Sequence, residues 1–275
     1  AAAVSEIQQL EKTLSVTKAD SEISKVNAAG GKKVTVSKET YDLLSACIQY
    51  GNDTEGLFDI SIYPLVKLWG FTTEKYRVPD KAERDAVIKK INYKKIELLP
   101  NCQVQIPSGM AIDLGAAAKG YLSQKIIDLC KEKKVASCIL SLGGNVQTIG
   151  MKPDDTEYTV GITDPSDGSS IYGTVKVKDK AVITSGIYQR NFKKDGKLYH
   201  HIMDKRTGMP ADNNLASVTV IAENGAMADA YATALSVMGE EKAIAFQKKH
   251  PQIQIILIRK DGTFYQSEKA GMIKS

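Results

Sequence analysis

Nothing in this sequence is arranged for a soft metal or a membrane span. Its four cysteines, Cys47, Cys102, Cys130 and Cys138, make no C-x-x-C pair, and it has three histidines. The ligand spacing of a zinc site is therefore missing. No apolar run approaches the roughly 20 residues a spanning helix needs. Repeats, low-complexity tracts and linkers long enough to split the chain are also missing. There is no initiator methionine: Ala1-Ala2-Ala3-Val4 reads as a processed or trimmed start, which leaves location open.

What is present is an ordinary globular balance, 43% apolar and 25% charged over 275 residues, enough for one large domain or two small ones. The net charge is +5. It comes from short clusters such as Lys32-Lys33, Lys89-Lys90, Lys94-Lys95 and Lys131-Lys133-Lys134, which read as solvated helix and strand edges. A nucleic-acid partner is not expected, because stacking aromatics are not interleaved with these lysines. The positive excess favours an anionic small ligand. Cys47, Cys130 and Cys138 lie in apolar stretches and read as buried thiols.

Periodicity places amphipathic helices at 5–16 and 38–50, the second with Leu43, Leu44, Cys47 and Ile48 inward. A glycine-bearing loop leads into FDISIYPLVKLWGF (58–71), where Pro64 suits the first turn of a short helix ending near Gly70. Pro79-Asp80 signals a stop and a cap before a helix at 81–91. Short strands are expected at 94–98, 103–106 and 110–113, then a long helix at about 116–134. CILSLGGNVQTIG (138–150) reads as strand, glycine turn, strand. Short β segments fill 157–222. Helices at 225–238 and about 240–249 follow, then strands at 253–258 and 262–266. Strands and helices do not alternate strictly. The expected class is α+β: one large domain over 1–275, buildable as two lobes, with mixed or antiparallel sheets and flanking helices.

Three segments have the residue types for chemistry. In Ala111-Ile112-Asp113-Leu114-Gly115-Ala116-Ala117-Ala118-Lys119-Gly120 a strand ends on a carboxylate, and small residues open a helix. Such a helix start offers free N–H groups and its positive dipole end to an anion, with Lys119 one turn in. The same residues equally make a tight strand-to-helix turn capped by Asp113. In Ala226–Ala234, Asp229 and Thr233 stand four apart and share a helix face. A carboxylate and a hydroxyl among alanines suit a hard cation such as magnesium, with phosphates and water completing the octahedron. A plain polar pair on a helix surface fits equally. In the third segment Asp195-Gly196 reads as a hairpin turn, followed by His200-His201-Ile202-Met203-Asp204. Neighbours on a strand face opposite ways, so one of the two histidines looks into any given site. A structural hairpin explains this segment equally well.

Taken in order, LFDISIYPLVKLWGF, IDLGAAAKGY, SLGGN, TSGIYQR, YHHIMDKRTGMP and the Asp-x-x-x-Thr helix resemble the FAD:protein FMN transferases, the ApbE family, from about residue 18 to residue 240. SEISKVN fits as well. The resemblance implies transfer of FMN from FAD, with magnesium, to a Ser or Thr of an acceptor protein, releasing AMP. It implies Asp229 and Thr233 as magnesium ligands, with a backbone oxygen of Ala116 as a third. It implies Asp113 and Lys119 as FAD contacts, Ile202 beside the nucleotide, and Leu57, Phe58 and Asp59 as the loop holding it. An acceptor hydroxyl must lose a proton, for which His201 is the first choice and Asp204 the second. Members usually have a β-strand ahead of the first helix, which this chain lacks, and Met203-Asp204-Lys205 replaces the commoner Ile-Asp-Pro. The resemblance also implies an extracytoplasmic bacterial location, periplasmic or at the cell surface, with membrane anchoring through the missing N-terminus.

Three rival readings compete with this one. A metal-dependent FAD hydrolase giving FMN and AMP would use the same residues with water as nucleophile. A non-catalytic FAD-binding protein would not need the Asp229/Thr233 pair. A carrier of covalent FMN would need an acceptor motif, and Asp167-Gly168-Ser169-Ser170-Ile171 departs from it after a few residues.

Overall fold

Side-chain oxygens on Ser21, Ser37, Asp80 and Asn224 decide where four of the helices begin. Each accepts a backbone N–H three residues on, from Ser24, Thr40, Glu83 and Met227, which satisfies a donor the helix start would leave open. Asp80 and Glu83 complete a reciprocal capping box.

The computed structural model describes residues 2–275. The chain runs α1 (Ala2–Leu14), α2 (Glu22–Ala28), β1 (Val34–Thr35), α3 (Lys38–Asp53), α4 (Tyr63–Leu68), α5 (Lys81–Ile88), β2 (Glu97–Leu99) and β3 (Gln103–Gln105). Next come α6 (Ala118–Glu132), β4 (Cys138–Leu142), β5 (Asn145–Ile149), β6 (Tyr158–Thr163), β7 (Ile171–Val177), β8 (Ala181–Gly186), β9 (Asn191–Lys194) and β10 (Lys197–His200). The last are β11 (Met203–Asp204), β12 (Met209–Pro210), β13 (Leu215–Ala222), α7 (Gly225–Met238), α8 (Glu240–Lys249), β14 (Gln254–Arg259), β15 (Phe264–Gln266) and β16 (Ile273–Lys274). The class is α+β, and the strand registers are antiparallel. The residues form two compact units: unit 1 is Ala1–Ala116 with Phe192–Ala211, and unit 2 is Ala117–Asn191 with Asp212–Ser275.

Unit 1 holds α1 to α5, a small sheet in the order β1-β3-β2, and the β11–β12 pair. One of its cores gathers Leu65, Trp69, Phe71, Ile91 and Met203. Trp69 is fully buried, its ring 5.4 Å from Tyr199, and its Nε1–H donates to the Gly208 carbonyl at 2.9 Å. The β9–β10 turn is Asp195-Gly196, both at positive φ (50° and 74°), as a two-residue hairpin of this hand requires.

Unit 2 is built on a six-stranded sheet in the order β15-β14-β13-β8-β5-β4. α6 packs on β5 and β4, and α7 packs on β13 and β8. A second sheet, β16-β7-β6, shares an apolar core with Val182, Ile221, Ile256 and Ile258 of the large sheet. β13 is thus covered on both faces, and all eight of its residues are buried. The period of two sends Asn145 and Gln147 of β5 and Ile183 and Ser185 of β8 toward the helices.

Several expectations are corrected. Residues 110–113 are not a strand. Their backbone is held by a side chain: Asn27 Oδ1 accepts the Ile112 N–H at 2.7 Å, and Asn27 Nδ2 donates to the Ile112 carbonyl at 2.9 Å. Residues 94–98 divide into a 3-10 turn, Tyr93–Lys95, begun by Asn92, and the strand from Glu97. The long helix starts at Ala118, and Asp113 does not cap it; Asp113 Oδ1 accepts from Gly115 N–H instead. The first helix is Ala2–Leu14 rather than 5–16. None of the four cysteines is in a disulfide; Cys47 is buried, and Cys130 and Cys138 are half-buried.

Trp69→Ala should destabilise the fold by about 3–5 kcal/mol, through lost packing and an orphaned Gly208 carbonyl. Denaturant titration of both proteins measures this, and a difference under about 1 kcal/mol would contradict the role given to Trp69.

Candidate functional site

The residues singled out from the sequence fall in two groups, one per unit. Leu57, Phe58, Asp59, Asp113, Ala116, His201, Ile202 and Asp204 belong to unit 1; Lys119, Asp229 and Thr233 belong to unit 2.

In unit 2, α7 is an alanine-rich helix buried nearly all round, as expected of a helix packed between other elements. Asp229 sits in its middle, 5% exposed. The α6 helix start explains how a carboxylate is tolerated there. The N-cap of α6 is Ala117, which has no side-chain oxygen to offer. Asp229 performs that office from α7: its Oδ2 accepts the Gly120 N–H at 2.9 Å, at the positive end of the α6 dipole. The two backbones meet because both contacts are glycines. A Cβ on Gly120 would lie 2.2 Å from the Gly225 carbonyl oxygen, and one on Gly225 would lie 2.6 Å from that of Gly120.

Asn145 Nδ2 donates to the same Asp229 Oδ2 at 3.3 Å. No hydrogen bond falls on Oδ1 among the described residues. Burial pushes the Asp229 pKa from its ordinary 3.8 up to about 6, against the Gly120 N–H, the Lys119 charge and the Asn145 amide, which favour the anion. One turn on, Thr233 Oγ1 lies 3.3 Å from Ser185 Oγ. Gln124 Oε1 accepts from both Gly225 N–H (3.0 Å) and Gln147 Nε2 (2.8 Å), while Gln147 Oε1 is buried without a hydrogen-bond partner. No cluster of three or more His, Cys, Asp or Glu occurs among the described residues. The oxygens that α7 itself brings to this place are the Asp229 carboxylate and the Thr233 hydroxyl.

In unit 1 the loop residues are supports. Asp59 Oδ2 pairs with Lys205 Nζ at 2.6 Å and accepts from Tyr93 N–H at 3.3 Å. Its Oδ1 accepts from the backbone and hydroxyl of Ser61. With its side chain 1% exposed, Asp59 ties its loop to the 204–208 turn. Phe58 is buried against Tyr50, and Ile202 is 3% exposed, its carbonyl accepting the Ala211 N–H. These residues shape the loop from beneath, and Leu57 is half-buried. Asp113 is held by its own N–H on the Ile60 carbonyl at 2.8 Å. Ala116 is half-buried.

The two histidines take different places. His200 is buried, with Nε2 3.1 Å from the Ala211 carbonyl. A carbonyl only accepts, so Nε2 is the protonated nitrogen. His201 follows the strand end and is half-buried, its ring edge-on to Phe71. Asp204 is buried and doubly bonded by Arg206, and it also accepts the Arg206 N–H. It organises the turn.

A family model described as the ApbE family matches residues 1–257. The chain belongs to the ApbE family. Its similarity to a FAD:protein FMN transferase of Klebsiella pneumoniae is 35% identity over 259 residues, covering 93% of this chain and 80% of that protein. The Treponema pallidum FAD:protein FMN transferase is 35% identical over 272 residues, covering 93% and 75%. Among solved structures, the ApbE protein of Thermotoga maritima superposes with a TM-score of 0.91 at 32% identity, covering 97% of this chain and 88% of that one. The flavin transferase ApbE of Vibrio cholerae gives 0.87 at 29% identity, covering 97% and 87%. Within this ApbE-family chain, the residues that sequence reasoning left without a role are Gly120, Gln124, Asn145, Gln147 and Ser185. A faint signal existed: Asn145 and Gln147 recur with a period of two along β5 and so share one face of it.

The raised Asp229 pKa has a consequence for metal-free protein. Between about pH 4 and 6 the folded chain keeps a proton the unfolded chain has lost. Stability contributed by this group is full below pH 4 and disappears as pH rises through 6, by on the order of 2–3 kcal/mol at most. Asp229→Asn removes the titrating group, so its stability should be flatter across that window. Thermal melts in chelator from pH 4 to 7 measure this, and identical slopes would reject it.

Proposed function

We propose that this protein transfers FMN from FAD to a Ser or Thr hydroxyl of an acceptor protein and releases AMP. The observation that carries the proposal is the buried Asp229 carboxylate, held through one oxygen by two neutral donors, with Thr233 a turn away. A desolvated anion without a cationic partner bonded to it fits a metal ion, and an all-oxygen donor set fits magnesium better than zinc or copper. Asp229 and Thr233 would hold it, leaving room in its coordination shell for phosphate and water. When bound, magnesium neutralises charge on the pyrophosphate oxygens as a Lewis acid.

The protein's own residues supply the rest. Lys119 and the N–H groups at the start of α6 add fixed positive potential for a phosphate. In unit 1 we assign His201 as the base that takes the proton from the acceptor hydroxyl, since Asp204 is already committed to Arg206. Asp113 is assigned to FAD, in keeping with the family resemblance. The acceptor oxygen forms a bond to the FMN phosphorus, the bond from that phosphorus to the bridging oxygen breaks, and AMP leaves with the electron pair. Under the same reading the acceptor is a redox-complex subunit and the work is done outside the cytoplasm. No helix among the described residues is long and apolar enough to cross a membrane.

Mass spectrometry of an acceptor domain incubated with FAD, magnesium and this protein should show an added FMN. Asp229→Ala should lower the transfer rate on the order of a thousandfold. Release of free FMN and AMP without any adduct would replace the proposal by hydrolysis, and unchanged FAD would replace it by simple binding. His201→Ala should slow transfer by about 10²–10⁴-fold with FAD affinity retained. If His200→Ala has that effect instead, the base has been placed on the wrong histidine.

A further inference from the structure

We infer that Asn145 is a positioning residue for the metal, acting through Asp229. This rests on the reading of Asp229 as a metal ligand. The geometry begins at Gly143-Gly144, the two-residue turn between β4 and β5. Both are at positive φ, 57° and 91°, and together they close the hairpin with Leu142 opposite Asn145. A slip of one residue would turn Asn145 to the other face of the sheet. In this register it faces α6 and α7, 2% exposed, with Nδ2 on Asp229 Oδ2.

Gly120 N–H reaches the same oxygen from α6. The two donors arrive from different elements, a helix start and a strand start, and so fix the carboxylate plane in two directions. Both load Oδ2 and leave Oδ1 for a cation. Both are also neutral. A lysine or arginine in the place of Asn145 would hold the carboxylate equally well but cancel the charge that draws the cation. An amide orients it and leaves its full negative charge. The amide is assigned with its nitrogen toward Asp229 because a carboxylate only accepts. Partners of this kind around metal ligands typically contribute 10–100-fold to metal affinity.

The test is calorimetric titration of magnesium into the full chain without FAD, repeated with manganese followed by electron paramagnetic resonance. Asn145→Leu keeps the number and branching of the side-chain heavy atoms and removes the donor. It should bind either cation about 10–100-fold more weakly, with the metal-free melting temperature and FAD affinity close to wild type. Asn145→Ala, which removes the amide without adding methyl bulk, should show the same split if the leucine variant folds poorly. Unchanged cation affinity in a folded variant overturns the inference. Equal losses of cation affinity, FAD affinity and stability also overturn it, because that pattern is ordinary structural damage. Wild-type protein that takes up neither cation removes the metal reading of Asp229, and this inference with it.

Discussion

The carboxylate of Asp229 at the start of α6 is the contact on which unit 2 depends. It caps a helix whose own N-cap residue is alanine, and it joins α6, α7 and β5 at one oxygen. Gly120 and Gly225 are required by the same contact, because any side chain at either would push the two helix backbones apart. A buried carboxylate is expensive to ionise, and burial outweighs the donors that favour the anion. A purely structural cap on an exposed helix end would not carry that expense. Under the proposed function, the binding free energy of a cation would offset the desolvation.

Unit 1 uses a buried charge differently. Asp59 has a cationic partner in Lys205 and three further donors in Ser61 and Tyr93. Every lone-pair direction has a use inside the fold, so the group stabilises a loop and has little left for a ligand. Asp204 with Arg206 is the same case on a smaller scale. The contrast with Asp229 is informative: two carboxylates closed by cations, and one held by neutral donors with an oxygen to spare.

Much of the fold was legible because strong local signals coincide with the elements. α7 and α8 begin and end where the expected helices at 225–238 and about 240–249 lie, and the 138–149 hairpin follows from its paired glycines. Residues 110–113 were misread because their hydrogen-bond partner is the Asn27 side chain, 85 positions away, and no local pattern encodes that. The histidine pair was half legible. Strand alternation says the two must differ, but which one is buried depends on the Ala211 carbonyl reaching His200.

The sequence by itself determined the α+β class, the bounds of α7 and α8, the Asp229/Thr233 spacing on one helix face and membership of a family whose motifs are ordered along the chain. These are properties of spacing and local propensity, which survive without knowing what packs on what. Only the tertiary structure decided which carboxylates are committed to cations and which is not. It also decided that Asn145 and Gly120 meet Asp229 from a strand and a second helix. Those facts depend on the register set by a glycine turn and on backbones approaching at two glycines, and contacts of that range are written in no single segment of the chain.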